Sequence, residues 1–409
     1  MKKGFALSFL FYLLINFSFG QQINVTNLKR HIKYLADDKL KGRGTGTQDE
    51  LTAANYIRTN FSKLKLEPKG NLNSYYYSFK FNKPKDKDDT IGGSPVSSID
   101  VVGFLDNGVE NTIVIGAHFD HLGMGLDHNS LDPNPEGKIH NGADDNASGV
   151  AGVIELARYL STNKVKEKYN FLFICFSGEE LGLFGSKKYC ENPTIDLSKV
   201  NYMINMDMIG RLNDSTNKLI VYGVGTAPDW VPIIDKIPTN FKIKKDSSGI
   251  GPSDQTSFYL KNIPVLHFFT GQHSDYHKPS DDVAKINFNG EKKVLEYILQ
   301  IIDKTEDLPK LKFLETKNTE PETRKYKVTM GVMPDYAFDG KGMRIDGVTD
   351  GKPAFKAGIK KGDIVLQLGE TKVGNLNDYM KALGTVKKGD TVEVIVSRDG
   401  KEIKMNVTF

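Results

Sequence analysis

Among the residues whose types hold divalent metal ions or move protons, nine fall in clusters at the ends of apolar runs: His118, Asp120 and His121; Asp144 and Asp145; Glu179 and Glu180; Asp207; and His277. Imidazole nitrogen mixed with carboxylate oxygen is the donor set of zinc, and two ions sharing a bridging carboxylate need about five protein ligands. One assignment meets that requirement. His118 and Asp207 hold one ion, Glu180 and His277 the other, and Asp145 bridges them. Glu179 then stays unligated, because a hydrolytic centre needs a free carboxylate to take the proton from water as it attacks a carbonyl. Asp120, two residues after His118, is placed to accept that histidine's second ring N–H and fix its tautomer. Taken singly, each residue has a plainer reading: Asp144 or Asp145 would serve as a helix N-cap, in competition with Asn146 and Ser148. The metal reading gains its weight from the clusters occurring together. The chain has no HExxH, GxSxG, GxGxxG or P-loop pattern, which excludes helical single-zinc peptidases and the common serine-hydrolase and nucleotide sites.

The elements that must position these residues can be read from hydrophobic periodicity. From Gln21 to about Leu66, Leu28, Ile32, Leu35, Ala54, Ile57, Phe61 and Leu64 recur at helical spacing. Strands Thr112 to Ala117 and Asn170 to Phe176 flank an amphipathic helix, Ser148 to Leu160, in a βαβ unit. Strands at Val200 to Met206, Lys218 to Tyr222 and Pro264 to Phe269 follow, with helices at Asp229 to Ile237, Ser253 to Leu260 and Gly290 to about Thr305. Each ligand cluster lies at a strand's exit, the edge where open α/β sheets carry their sites. The expected fold class is α/β, a three-layer sandwich around a mainly parallel mixed sheet. Lys304 to Lys325 is rich in Lys, Glu, Thr and Pro and suits a solvated linker. The expected domains are therefore 21–307 and 326–409, joined by a linker at 308–325. The second is small and β-rich, with β-type runs at Tyr326 to Met333, Met343 to Val348, Ile364 to Leu368, Thr391 to Val396 and Ile403 to Phe409 and helices at Pro353 to Ala357 and Leu376 to Leu383.

The 409 residues carry a net charge of +4 without a long basic block, so neither nucleic acid nor an anionic surface is an expected partner. Lys2 and Lys3 precede an apolar run from Phe5 to Phe19, and Ser18-Phe19-Gly20 supplies a small-x-small site. Residues 1–20 thus read as a signal peptide cleaved after Gly20, too short to span a bilayer and leaving no stable membrane anchor. The mature chain is expected to be exported, periplasmic or extracellular. Cys175 and Cys190 are the only cysteines, so a four-thiolate zinc site is excluded, and Cys175 reads as a buried core thiol.

Longer motifs carry a resemblance. GAHFDHLG at Gly116 to Gly123, NGADDNASG at Asn141 to Gly149, FSGEELGLFGS at Phe176 to Ser186, INMDMIG at Ile204 to Gly210 and YHKPSDD at Tyr276 to Asp282 resemble the two-zinc exopeptidases of clan MH, the twenty-eighth metallopeptidase family. LADDKLKGRGTGT, Leu35 to Thr47, is similar to that family's N-terminal segment. The resemblance implies the zinc exopeptidase fold, two zinc ions per chain on His118, Asp145, Glu180, Asp207 and His277, and Glu179 as general base. It further implies a Tyr276 that donates to a tetrahedral oxyanion and a cis peptide after Asp145. The activity implied is removal of N-terminal residues from peptides with free N-termini; carboxypeptidase and glutaminyl cyclase chemistries use similar ligands within the family. The loop between His121 and His140, with Met124, Asp127, His128, Asp132, Pro133, Pro135 and Glu136, is expected to cover the site as a lid, and its Asp132 to Gly137 run lacks the terminal Glu of a calcium loop.

The C-terminal domain resembles a PDZ domain. Thr329-Met330-Gly331-Val332 matches the carboxylate-binding loop, and Lys356 to Val365 the turn into a strand. Met330, Gly331 and Val332 would hold a peptide's C-terminus added as a strand, with Pro334 interrupting that edge. The contrasting reading of the whole chain is a PDZ-led peptide-binding scaffold with a non-catalytic peptidase domain; no ligand or base is missing to favour it.

Overall fold

The computed structural model describes residues 22–83, 93–127, 129–316, 328–335, 338, 340–348 and 351–409. The signal-peptide reading at residues 1–20, His128 and residues 317–325 of the linker lie outside them.

Helices α1 (Val25–Leu35) and α2 (Gln48–Lys63) open the fold. Asn24 caps α1 by accepting the N–H groups of Thr26 and Asn27, satisfying donors that the first helical turn leaves open. Then come β1 (Glu67–Pro68), β2 (Tyr76–Lys83), β3 (Ser94–Leu105), β4 (Thr112–His118), α3 (Gly149–Thr162), β5 (Asn170–Phe176), α4 (Phe184–Glu191), β6 (Val200–Met206), β7 (Lys218–Tyr222), α5 (Trp230–Lys236), β8 (Lys242–Lys245), α6 (Gln255–Tyr259), β9 (Val265–Phe269) and α7 (Phe288–Thr305). The sheet runs β1-β3-β5-β4-β6-β9-β7-β8, with β2 paired to β3. Its centre is parallel: β4 pairs β5 and β6, and β6 pairs β9, all in parallel. The periphery is antiparallel at β3 with β5 and at β7 with β9.

The central strands are buried on both faces, which is why they read as unbroken apolar runs. Alternate residues of β5 divide between two cores. Phe171, Phe173 and Cys175 pack with Leu28 of α1, Ile57 of α2, Leu156 of α3 and Ile298 of α7; Leu172, Ile174 and Phe176 pack with Tyr189 of α4 and Phe258 of α6. That alternation puts Cys175 and Cys190 on opposite faces, and both are buried free thiols.

Helix α4 and strand β8 are additions to the sequence reading, and of the run expected at Tyr326 to Met333 the described residues before Val332 are not strand; two further departures bear on the packing. The β2–β3 arm was not anticipated: β2 alternates cleanly, with Tyr77, Phe79 and Phe81 inward, but β3 carries Ser and Asp at inward positions, Ser98 and Asp100, and loses the pattern. The expected solvated linker begins instead as a strap on the first domain. Leu311 is buried and its N–H meets Asn201 Oδ1 at 2.7 Å. Phe313 lies against Tyr259, ring centroids 5.4 Å apart, and Leu314 N–H donates to Thr226 O. Two apolar residues spaced by one are enough to bind an otherwise charged segment.

The second sheet, β10-β11-β12-β14-β15 with β13 on β12, comprises β10 (Val332–Pro334), β11 (Met343–Val348), β12 (Ile364–Leu368), β13 (Thr371–Lys372), β14 (Thr391–Arg398) and β15 (Lys401–Thr408), with helices α8 (Pro353–Lys356) and α9 (Leu376–Leu383). Met330, Ile345, Val365, Tyr379 and Val394 form its separate core. Among the described residues no helix is long and apolar enough to cross a membrane.

Candidate metal centre

Parallel β4, β5, β6 and β9 all end at one edge of the sheet, and the loops leaving them bring the ligand-type residues together. His118 closes β4, and its Nε2 lies 3.3 Å from Asp145 Oδ1 and 3.3 Å from Asp207 Oδ1. On the other side of Asp145, His277 Nε2 lies 3.3 Å from Oδ2 and 3.1 Å from Glu180 Oε2. Asp145 therefore offers one oxygen to each group. Ligand atoms about 2.0–2.2 Å from a tetrahedral zinc stand about 3.3–3.5 Å apart, close to the histidine–carboxylate distances on both sides of Asp145. Asp145 Oδ2 is buried with no hydrogen-bond partner, the state of an atom that a cation would satisfy. The donor set and geometry fit two ions.

The peptide bond between Asp145 and Asn146 is cis, as the resemblance implied. The N–H groups of Asp144 and Asp145 both donate to Asp281 Oδ2, each at 3.0 Å. Burial alone would raise the Asp145 carboxyl, but the imidazoles of His118, His277 and His121 around it hold it well below the usual range. Burial likewise works against Glu180, and the positive His277 brings it down to about 2. Glu179 moves the other way: burial, then the neighbouring charges of Glu180 and Asp207, push it well up against the pull of His118. The adjacent glutamates thus occupy opposite electrostatic settings.

Asp120 takes a broader part than expected. The group nearest His118 Nδ1 is the Asp120 backbone carbonyl at 3.2 Å, with the carboxylate at 3.7 Å. The carboxylate accepts the Glu179 N–H at 3.2 Å and the Thr45 hydroxyl at 2.7 Å. Tyr276 stacks on His277, centroids 3.9 Å apart, and lines a cavity that reaches Glu179 and Asp207. The apolar wall of that cavity is Met208, Tyr222, Pro252 and Phe269.

The loop that could cover the site as a lid also bonds His277. Asn129 O accepts from His277 Nδ1 at 2.8 Å, while Ser130 Oγ and Leu131 N–H both donate to His277 O. These bonds hold His277 at φ 54°, a left-handed backbone that costs a non-glycine residue about 1–2 kcal/mol. His121, which the sequence reading leaves without a role, has its Nδ1 2.7 Å from Glu180 Oε1, and with Asp145 and Glu180 it makes a further metal-competent trio. Asn129 could not be found from sequence, because it acts through its carbonyl. Asp281, Arg43 and Thr45 could have been, since they lie inside YHKPSDD and LADDKLKGRGTGT.

Residues 100–302 match the model of peptidase family M28, and residues 316–409 that of a PDZ domain. The chain carries a family M28 peptidase domain. Its M28 region is 28% identical over 208 residues to leucine aminopeptidase 2 of Trichophyton rubrum, covering 43% of this chain and 38% of that one. It is 28% identical over 204 residues to leupeptin-inactivating enzyme 1 of Streptomyces exfoliatus, covering 48% and 41%. It is 30% identical over 158 residues to aminopeptidase YwaD of Bacillus subtilis, covering 36% and 34%. The chain thus spans well under half the length of these relatives. The fold is that of a solved zinc aminopeptidase from Bacillus subtilis (TM-score 0.54, 16% identity, 72% of this chain and 98% of that one). It is shared with a glutaminyl cyclase from Bacteroides thetaiotaomicron (TM-score 0.55, 18% identity, 69% and 98%).

In the PDZ domain Met330 is fully buried and Gly331 has φ +74°, where a Cβ would come within 2.2 Å of Lys352 Cβ. The Gly331 N–H donates to Thr329 Oγ1 at 3.0 Å. β10 is an edge strand, and its register breaks between Met333 and Pro334.

Proposed function

We propose that this chain is an exported aminopeptidase that removes N-terminal residues from peptides, with Glu179 as general base and two zinc ions held by His118, Asp145, Glu180, Asp207 and His277. The observation that carries the reading is the split of Asp145, whose two oxygens each face a separate histidine–carboxylate set at 3.1–3.3 Å spacing. The ions would supply Lewis acidity at the scissile carbonyl and a water nucleophile at neutral pH. Glu179, half-buried and unligated in this assignment, takes the proton from the attacking water and hands it to the leaving amine; its upward shift matches the basicity that transfer requires. The Asp120 carboxylate, bonded to the Glu179 N–H, aims that side chain. Tyr276 borders the cavity where the carbonyl oxygen would develop charge and donates to it. The apolar wall of Met208, Tyr222 and Phe269 receives the first side chain. Export is supported by the lysine-led apolar run before Gly20. In the PDZ domain, Met330, Gly331 and Val332 border the edge of β10 where a peptide C-terminus would add as a short strand.

The test uses matched peptides with free or acetylated N-termini, incubated with the zinc-loaded and the chelated chain while amino-acid release is followed from both ends. Zinc-dependent release from free N-termini alone is the expected result. Release from the C-terminus, cyclisation of N-terminal glutamine without release, or peptide binding without turnover would each replace the proposal.

A further inference from the structure

The segment between α1 and α2 contributes no ligand, yet it touches the loops that do. Arg43 is fully buried. Its guanidinium donates from Nε to Phe119 O at 2.8 Å, from Nη1 to Leu35 O at 2.5 Å and Asn141 O at 2.7 Å, and from Nη2 to Gly142 O at 3.1 Å. Phe119 directly follows His118, and Asn141 and Gly142 lead into Asp145. Beside it, Thr45 Oγ1 donates to Asp120 Oδ2 at 2.7 Å, and the other oxygen of that carboxylate accepts the Glu179 N–H. The main chain joins in: His121 N–H donates to Arg43 O and Gly123 N–H to Gly42 O. Gly42 has to be glycine there, since a Cβ would lie 2.3 Å from His140 O.

We propose that Arg43 and Thr45 are positioning residues of the metal centre, setting the spacing between the loop that carries His118 and the loop that carries Asp145. The inference rests on the two-metal reading above. Carbonyls of irregular loops have no ladder partners, so their separation is free unless something bonds several at once. A planar guanidinium with divergent N–H groups spans carbonyls on three chain segments, and a lysine ammonium of the same charge cannot reproduce that fork. Burial lowers the Arg43 pKa to about 10, while the charges of Asp120, Asp145, Asp281 and Glu180 work to raise it, so the fork stays charged and complete at neutral pH. Thr45 extends the same brace to Asp120, and through it to His118 and Glu179.

The test is zinc affinity of the full chain by chelator competition, with unfolding of the metal-free chain followed in parallel at Trp230. Arg43→Lys is expected to weaken zinc by about 10–100-fold, to alter the visible spectrum of the cobalt-substituted chain, and to lower kcat more than it changes KM. Thr45→Val, nearly isosteric, is expected to weaken zinc several-fold while leaving the metal-free transition in place. Wild-type zinc affinity and cobalt spectrum in folded Arg43→Lys would overturn the proposal. Should Arg43→Lys fail to fold, wild-type zinc affinity in Thr45→Val overturns it. A wild-type chain that binds no zinc overturns the two-metal reading itself, an outcome separate from unaffected variants.

Discussion

Glu50 gives a prediction whose size follows from its surroundings. It lies in the first turn of α2, where its N–H donates to Thr47 Oγ1 and its Oε2 accepts the Gly46 N–H at 2.7 Å, a capping arrangement turned inward. Its carboxyl also accepts from Ser98 Oγ at 2.9 and 3.0 Å and from Ser177 Oγ. Burial, and then the charge of Asp120, push it from 4.5 to about 8 against those hydrogen bonds. A carboxyl raised on folding contributes stability that is fully present below its unfolded pKa and is lost as pH rises through the folded one. The window is therefore pH 4.5 to about 8, and at about 1.4 kcal/mol per pH unit the loss reaches at most about 5 kcal/mol. Glu50→Gln removes the ionisation and keeps a donor and an acceptor in place. The assay is urea unfolding of the metal-free chain at several pH values, read by fluorescence of Trp230, which is the single tryptophan, fully buried in the peptidase domain. The wild type should lose stability relative to the variant by about 1 kcal/mol per pH unit between pH 5 and 8, then level off. Parallel pH profiles for the two proteins would refute the reasoning, because Glu50 would then be ionised in the fold.

Glu179→Gln should lower turnover by about 10²–10⁴-fold while metal content, measured by atomic emission, stays at the wild-type level; near-normal turnover would remove Glu179 from the general-base role. Gly142→Ala should cost zinc affinity, since at φ 54° a Cβ would lie 2.2 Å from Asp145 O and 2.5 Å from the His121 ring. Chelator competition checks it, and unchanged affinity would show that the bridging loop yields without moving Asp145. Leu311→Ala should destabilise the Trp230 transition by about 2–3 kcal/mol, the lower range for a buried leucine. A transition unmoved by that change would mean that the strap does not pack on the peptidase domain.

Much of the sheet could be read directly, because strands buried on both faces must be apolar throughout. The apolar runs Asn170–Phe176, Val200–Met206 and Lys218–Tyr222 coincide with β5, β6 and β7 residue for residue. The β2–β3 arm was missed because β3 buries Ser98 and Asp100, polar groups that serve the Glu50 and Ser177 network rather than a core. The linker reading failed at Leu311 and Phe313 because composition averages over a segment, whereas docking needs only two apolar side chains at the right spacing.

At the candidate site, residue types and strand exits singled out His118, Asp145, Glu179, Glu180, Asp207 and His277 before any distance was known. The chemistry of metal ligands is a property of side chains, and side chains are written in the sequence. What holds those ligands is largely main chain. The Asn129 carbonyl on His277, the Asp120 carbonyl facing His118, and the four carbonyls under Arg43 carry no residue signature. Every residue has a carbonyl, and only the folded path of three loops decides which of them point at a histidine or a guanidinium. Sequence alone thus determined which atoms can bind metal and move protons; tertiary structure decided their spacing, because that depends on backbone groups that all residues share.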